Sequence, residues 1–284
     1  MSRTILKADN ICYTYDGEHT PALDHLSLDI KTGRKIACMG SNGSGKSTFF
    51  LCCNGIRRPD TGTLFYRGKP FDYSKKGLLN LRRKVGIVFQ EPDHQIFCAD
   101  VQQEISFGVM NLGCTEAEAR RKVTQVMDKL EITPFAHKPT HALSGGQKKQ
   151  VAIADILVME PELIILDEPT AALDPLHTQV VHNLIDQMLQ ADTTVMLATH
   201  DVEYAYAWAD DILLFHKGRI LAQGTPEEIF MRTDLLQTVN LKQPAVLSLF
   251  LQLTQDNILP PNLPFPKTME DLAVYLKRLK SKHP

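Results

Sequence analysis

Gly40-Ser41-Asn42-Gly43-Ser44-Gly45-Lys46-Ser47 is the stretch whose reading decides how this chain folds. It follows Lys35–Met39, a short apolar run that reads as a buried strand, and it leads into Ser47–Asn54, an apolar stretch of helical character. Strand, glycine-rich loop and helix in that order make a phosphate-binding unit. The glycines let successive backbone N–H groups converge on phosphate oxygens with no side chain in the way, and the helix adds the positive end of its dipole. Lys46 supplies a mobile positive charge, Thr48 continues the nucleotide-binding run, and the Ser47 hydroxyl can hold Mg²⁺.

Further along, Leu163–Leu166 reads as a central strand that ends in Asp167-Glu168. Two acids at the end of an apolar strand put charge where only a cation offsets it. Asp167 is the candidate metal ligand and Glu168 the candidate general base that polarises an attacking water. The same acids could instead cap a helix after Pro169-Thr170; the phosphate loop favours the chemical reading. Thr194–Ala198 is a second central strand, separated from the first by a helix over Leu176–Leu189. It runs into Thr199-His200-Asp201, at the sheet edge where doubly wound folds bind ligands, which places His200 near a γ-phosphate.

The remaining elements are less decisive. Thr4–Leu6 and Leu26–Ile30 read as strands on either side of the turn signal Asp16-Gly17, and Val85–Phe89 as a short apolar strand. Thr115–Leu130 has helical periodicity, with Thr115 and Glu118 spaced for a capping box. Asp211–Phe215, Lys217-Gly218 and Arg219–Ala222 read as a hairpin. Beyond Gly224 the composition shifts, and Pro260, Pro261, Pro264 and Pro266 separate two helical stretches of a small C-terminal extension.

The 284 residues, 43% apolar and 23% charged with a formal net charge of −2, describe an ordinary globular protein and argue against a general nucleic-acid binder. The basic runs Arg82–Lys84, Arg120–Lys122 and Lys277–Lys282 read as solvated helix faces. Cys12, Cys38, Cys52, Cys53, Cys98 and Cys114 form no C-x-x-C pair and read as reduced core thiols. The start MSRTILKADN lacks the apolar run of a signal peptide, and stretches such as Val151–Met159 fall short of a membrane span. A cytoplasmic protein is expected, serving a membrane only by docking on other subunits. His94/Cys98 and His137/His141 have the i,i+4 spacing of metal pairs, but neither has a third or fourth ligand in the sequence.

Leu143-Ser144-Gly145-Gly146-Gln147 resembles the signature of ABC cassettes. Gln90, after the Val85–Phe89 strand, resembles their Q-loop. Ala171-Ala172-Leu173-Asp174 is similar to their D-loop, although the family more often has serine first. Tyr15 stands where the family has an aromatic that stacks on adenine, with Tyr13 the competing residue. The resemblance covers residues 3 to about 230 and implies an α/β P-loop cassette: parallel-sheet core, N-terminal antiparallel β subdomain and helical subdomain over about 91–160, followed by an extension over 231–284. It implies that ATP with Mg²⁺ is the nucleotide, that Lys46, Gln90, Glu168 and His200 serve catalysis, and that Ser47, Gln90 and Asp167 hold the metal. It also implies that Leu143–Gln147 and Asp174 act on nucleotide held by a second ATPase subunit, most simply in a homodimer. The helix start at Ser144 and two glycines is physically suited to that task as a second backbone anion site.

A closer likeness lies in Arg67–Phe97 (RGKPFDYSKKGLLNLRRKVGIVFQEPDHQIF) and Ile105–Gly113 (ISFGVMNLG), which are similar to the ATP-binding subunit of energy-coupling-factor cobalt or nickel importers, the CbiO type. That likeness implies a transmembrane coupling protein and a membrane substrate-capture protein as partners, a peripheral place on the cytoplasmic membrane face, Glu91–Phe97 as the surface receiving a coupling helix, and no nucleic acid. Importers of a vitamin or other solute in the same class share these features. Two other classes use a phosphate loop of this kind. A small-molecule kinase is opposed by the signature; a non-transport ABC protein is opposed by the absence of a coiled-coil insertion or second cassette.

Overall fold

The computed structural model describes residues 3–188 and 193–280. Met1 and Ser2 of the N-terminal segment, the expected helix end at Leu189, and Ser281 and Lys282 of the basic tail lie outside them. In chain order the strands are β1 (Thr4–Tyr13), β2 (Leu23–Lys31), β3 (Lys35–Met39), β4 (Thr61–Tyr66), β5 (Lys69–Pro70), β6 (Val85–Val88), β7 (Leu163–Asp167), β8 (Thr194–Ala198), β9 (Asp211–His216) and β10 (Arg219–Gly224). The helices are α1 (Lys46–Cys53), α2 (Lys75–Lys84), α3 (Val101–Asn111), α4 (Glu116–Lys129), α5 (Gly145–Leu157), α6 (Pro175–Met188), α7 (Val202–Trp208), α8 (Pro226–Phe230), α9 (Thr233–Thr238), α10 (Ala245–Gln255) and α11 (Met269–Lys280).

A four-stranded sheet, β2-β1-β4-β5, is antiparallel throughout, and a six-stranded sheet runs β10-β9-β3-β8-β7-β6. From β9 to β6 its neighbours are parallel, and only β10 turns back. The strands of this second sheet from β9 to β6 are apolar at nearly every position because both faces are covered. Successive residues alternate between two cores. Ile36, Cys38, Ile165, Met196 and Leu213 face the antiparallel sheet and α1, while Ala37, Met39, Ile164, Leu166, Val195, Ile212 and Leu214 face the helices.

The helices after β6 form a layer in which α3 and α4 pack on α5, and the capping box of Thr115 and Glu118 starts α4 as the spacing suggests. Sequence periodicity did not reveal β4, α2 or α3. The basic run before β6 is only partly solvated: Lys84 and Arg67 both pair with Glu162, and Arg82 donates to the Gly55 carbonyl at 3.2 Å. After Gly224 the chain returns to the same helical core, where Leu247, Phe250, Leu259 and Leu272 are buried. Lys267 of that extension pairs with Glu227 at 2.5 Å, and the Ala245 N–H donates to Glu203 at 2.7 Å.

Candidate functional site

The strand order brings three chain-distant loops to one edge. β3 lies beside β8 and β8 beside β7, with Cys38 level with Ala198 and Ala198 level with Asp167. The loops that leave these strands therefore emerge together at the carboxyl edge, the usual ligand position of such sheets. They carry Gly40–Ser47, Glu168 and His200.

The Gly40–Ser47 loop contributes Asn42–Ser47 to the lining of a cavity of about 380 Å³, together with Tyr15, Thr48, Gln90 and Glu168; Gly40 and Ser41 are not in that lining. Two of the loop's glycines are required by close packing. A Cβ on Gly40 would stand 2.2 Å from the Phe215 carbonyl oxygen, and one on Gly45 would stand 2.6 Å from that of Ala22, each at positive φ. The β9–β10 turn buttresses the loop: Lys217 and Gly218 both have positive φ, as a tight hairpin turn needs, and the Gly218 N–H donates to the Ser44 carbonyl at 2.9 Å. Lys46 is buried and donates to the carbonyls of Gly40 (2.9 Å) and Ser41 (3.2 Å). Burial pushes its ammonium below the usual lysine value, partly offset by Glu168 and Asp167.

Asp167 is buried at the end of β7, and its Oδ1 has no hydrogen-bond partner among the described residues. Burial pushes its carboxyl up, against a hydrogen bond from Ser47 and the pull of Lys46 and Lys149. A buried orphan carboxylate oxygen beside a serine hydroxyl is a hard oxygen donor set, and it fits Mg²⁺. Glu168 follows at φ 46, a backbone region that a non-glycine residue seldom occupies, and its Oε1 meets His200 Nε2 at 3.0 Å.

Of the two tyrosines, Tyr13 is 8% exposed within the antiparallel-sheet core, whereas Tyr15 lines the cavity. The Tyr15 hydroxyl lies 3.2 Å from Thr48 Oγ1, and the Arg57 guanidinium stands 5.5 Å over its ring. Arg57 was not legible as a site residue, since nothing in its local sequence points to the ring.

Leu143–Gln147 lie elsewhere, and none of them lines the cavity. Ser144 caps α5, accepting from the Gln147 N–H at 3.3 Å, while Gln147 Oε1 accepts from the Ser144 N–H at 3.2 Å. Leu143 is 7% exposed and packs in the core, so it anchors the motif and offers no side chain to a partner. Asp174 bonds His177 twice, at 3.0 Å to its N–H and 2.6 Å to Nδ1, and a Cβ on Gly146 would stand 2.6 Å from that ring. His177 thus joins the Asp174 loop to the signature within one chain; the D-x-x-H spacing was the available sign.

Among the described residues, neither His94/Cys98 nor His137/His141 gathers a metal cluster, and Cys12, Asp24 and His25 are the group close enough to share an ion. Asp24 is already paired with Arg219 at 2.7 Å, and His25 with Asn10 at 2.9 Å. No helix among the described residues is long and apolar enough to cross a membrane.

The family model "ABC transporter" matches residues 23–171. The chain is 44% identical, over 89% of its length, to the energy-coupling factor transporter ATP-binding protein EcfA2 of Methanospirillum hungatei. It belongs to the ABC transporter ATP-binding proteins, of the energy-coupling factor type. The match spans 63% of the Methanospirillum ABC protein's length. A solved ABC structure, cbiO1 from Clostridium perfringens, part of the ABC transporter complex cbiONQ, is 42% identical with a TM-score of 0.73, covering 84% of this chain and 95% of that one. The dimeric structure of MJ0796, a bacterial ABC transporter cassette, is 27% identical with a TM-score of 0.71, covering 78% of this chain and 99% of that one. Proteins of this family are ATPases that couple hydrolysis to transport, and the fold expected from the signature is the one observed.

Proposed function

We propose that this chain is the motor of an energy-coupling-factor importer of cobalt or nickel ions, hydrolysing Mg-ATP at a seam between two copies. The observation that carries the ATPase reading is that Lys46, Ser47 and Glu168 line one cavity, with Asp167 hydrogen-bonded to Ser47 and His200 to Glu168. Bound there, Mg²⁺ would supply charge neutralisation for the phosphates, with Ser47, Asp167 and Gln90 as its protein ligands. Glu168 Oε1 takes the proton of the attacking water, and His200, hydrogen-bonded to that oxygen, orients it. Lys46 gives up two carbonyl partners to face the β- and γ-phosphates. Tyr15 presents its ring to the base.

A seam between subunits is supported by the separation of the signature from its own cavity and by the dimeric MJ0796 cassette. The exposed start of α5 suits a phosphate on a second molecule. Exposed Leu249, Ile258, Phe265 and Met269 on the 231–284 extension support its part in a dimer contact. The membrane partners are supported by Phe97, 66% exposed and edge-on to the exposed Phe107 at 4.8 Å, in the segment that follows Gln90. Cobalt as cargo is supported by the kinship with cbiO1, and a vitamin or other solute remains the alternative within the same class.

Co-expression with the membrane subunits tests the assignment. Co-purification as a complex and ATP-dependent cobalt or nickel uptake by intact cells are expected. Uptake of a vitamin alone would move the cargo, and recovery of ribosomes or nucleic acid instead of membrane proteins would overturn the transport reading.

A further inference from the structure

The loop after β6 is laced to α5 of the same chain at three points. Lys149 Nζ donates to the Gln90 carbonyl, Lys148 Nζ pairs with Asp93 at 2.5 Å, and Gln95 Nε2 donates to the Ala152 carbonyl at 2.7 Å. Positions 148, 149 and 152 share one side of a helix, so the loop lies along that side. Lys149 is the unusual member, because it is only 3% exposed. Lysine is almost never fully buried without compensation, since its ammonium is strongly hydrated. Here the compensation is specific: the ammonium points at one carbonyl, with Asp167, Glu168 and Glu91 within electrostatic reach. Had the position needed only a core-filling stem, a methionine would serve without the desolvation cost.

We propose that Lys149 is a positioning residue: its buried ammonium grips the Gln90 carbonyl, sets where the Gln90 side chain stands over the phosphate cradle, and ties that loop to the helix that begins at the signature. The inference rests on the ATPase reading above. Its consequence is directional. Gln90 faces nucleotide in its own chain, whereas Ser144 to Gly146, at the start of the same helix, face nucleotide held by a second copy. A displacement of Gln90 therefore moves the cap over the other site through less than two turns of α5.

Lys149→Met keeps the stem and removes the charge, and Lys149→Arg keeps the charge. Amide hydrogen exchange across residues 90–96 of the nucleotide-free protein reads the tether directly, and steady-state kinetics read its use. For Lys149→Met, exchange in that segment should rise and kcat should fall, each by about tenfold or more, with KM changed by less than about threefold, as for a lost hydrogen bond to a charged group. Lys149→Arg should recover more than half of both, and Lys148→Met, whose partner Asp93 is exposed to solvent, should change little. Lys149→Gln takes the place of Met if that variant fails to fold. Wild-type exchange and kcat in the Met or Gln variant would overturn the proposal, as would an equal loss in the Arg variant. The exchange measurement uses neither nucleotide nor turnover. A wild-type protein that fails to hydrolyse ATP while the exchange effect persists would sink the ATPase reading and leave the tether standing.

Discussion

Glu168 Oε1 and His200 Nε2 lie 3.0 Å apart although 32 positions separate them in the chain. The contact exists because β7 and β8 are parallel neighbours, so each loop leaves the sheet at the same height. It gives the carboxylate a fixed direction, reinforced by the left-handed backbone at Glu168.

Glu168→Gln keeps the shape and the hydrogen-bond contact but removes the base. ATP turnover should fall by about 10²- to 10⁴-fold, with nucleotide binding retained. Turnover and equilibrium binding of a fluorescent ATP analogue decide this. Unchanged turnover would mean that another group accepts the proton.

Ser144 has two tasks that substitutions can separate. Ser144→Ala removes the cap of α5 and should cost about 1 kcal/mol of stability. Ser144→Asp preserves a cap of equal quality but sets a negative charge against a partner's γ-phosphate. Stability and ATP binding by the monomer should survive in the Asp variant, while ATP-driven dimerisation and turnover are lost. Urea unfolding, size-exclusion chromatography and ATPase assays read the three quantities. Normal turnover in both variants would contradict a site shared between subunits.

Gly40→Ala tests the packing of the phosphate loop. The added Cβ meets the Phe215 carbonyl oxygen at 2.2 Å, at a φ of +143 that disfavours side chains. Strain of about 1–3 kcal/mol is expected, with nucleotide affinity lost as the loop shifts. A variant with wild-type melting temperature and affinity would show that the loop adapts freely.

Glu162, the residue before β7, pairs with Lys84 at the end of α2 and Arg67 in the β4–β5 turn, and the pH dependence of its contribution has a definite sign. Burial alone would push its carboxyl up, but hydrogen bonds from Lys84 and Arg67 outweigh it and hold the group at about 2, against 4.5 for an unperturbed glutamate. A carboxyl depressed on folding stabilises above its unfolded value. The contribution should therefore be full above pH 4.5 and decline as pH falls toward 2. After allowance for solvent screening it amounts to about 1 kcal/mol. The difference in unfolding free energy between wild type and Glu162→Gln, measured at pH 7 and again below pH 4, should shrink; a difference independent of pH would refute the pairing.

What the sequence determined by itself was whatever neighbouring residues encode together. The run from Lys35 through Cys53 states strand, loop and helix in one continuous phrase, because period, glycine placement and the Lys46-Ser47 pair are all local. Asp167-Glu168 at the end of an apolar strand, the Thr115–Glu118 cap and the Lys217-Gly218 turn were legible for the same reason. Tertiary structure alone decided which distant groups meet. The order β3-β8-β7 interleaves segments far apart in the chain and so creates the Glu168–His200 contact. Packing of the antiparallel sheet buries Tyr13 and leaves Tyr15 at the cavity, although the two are chemically alike and two positions apart. Nothing local in the sequence marks Lys149 as buried, and only the closure of α5 over the Gln90 loop turns its ammonium inward. Periodicity records the face a residue prefers; which neighbour occupies that face is set by long-range packing, and short-range pattern carries no record of it.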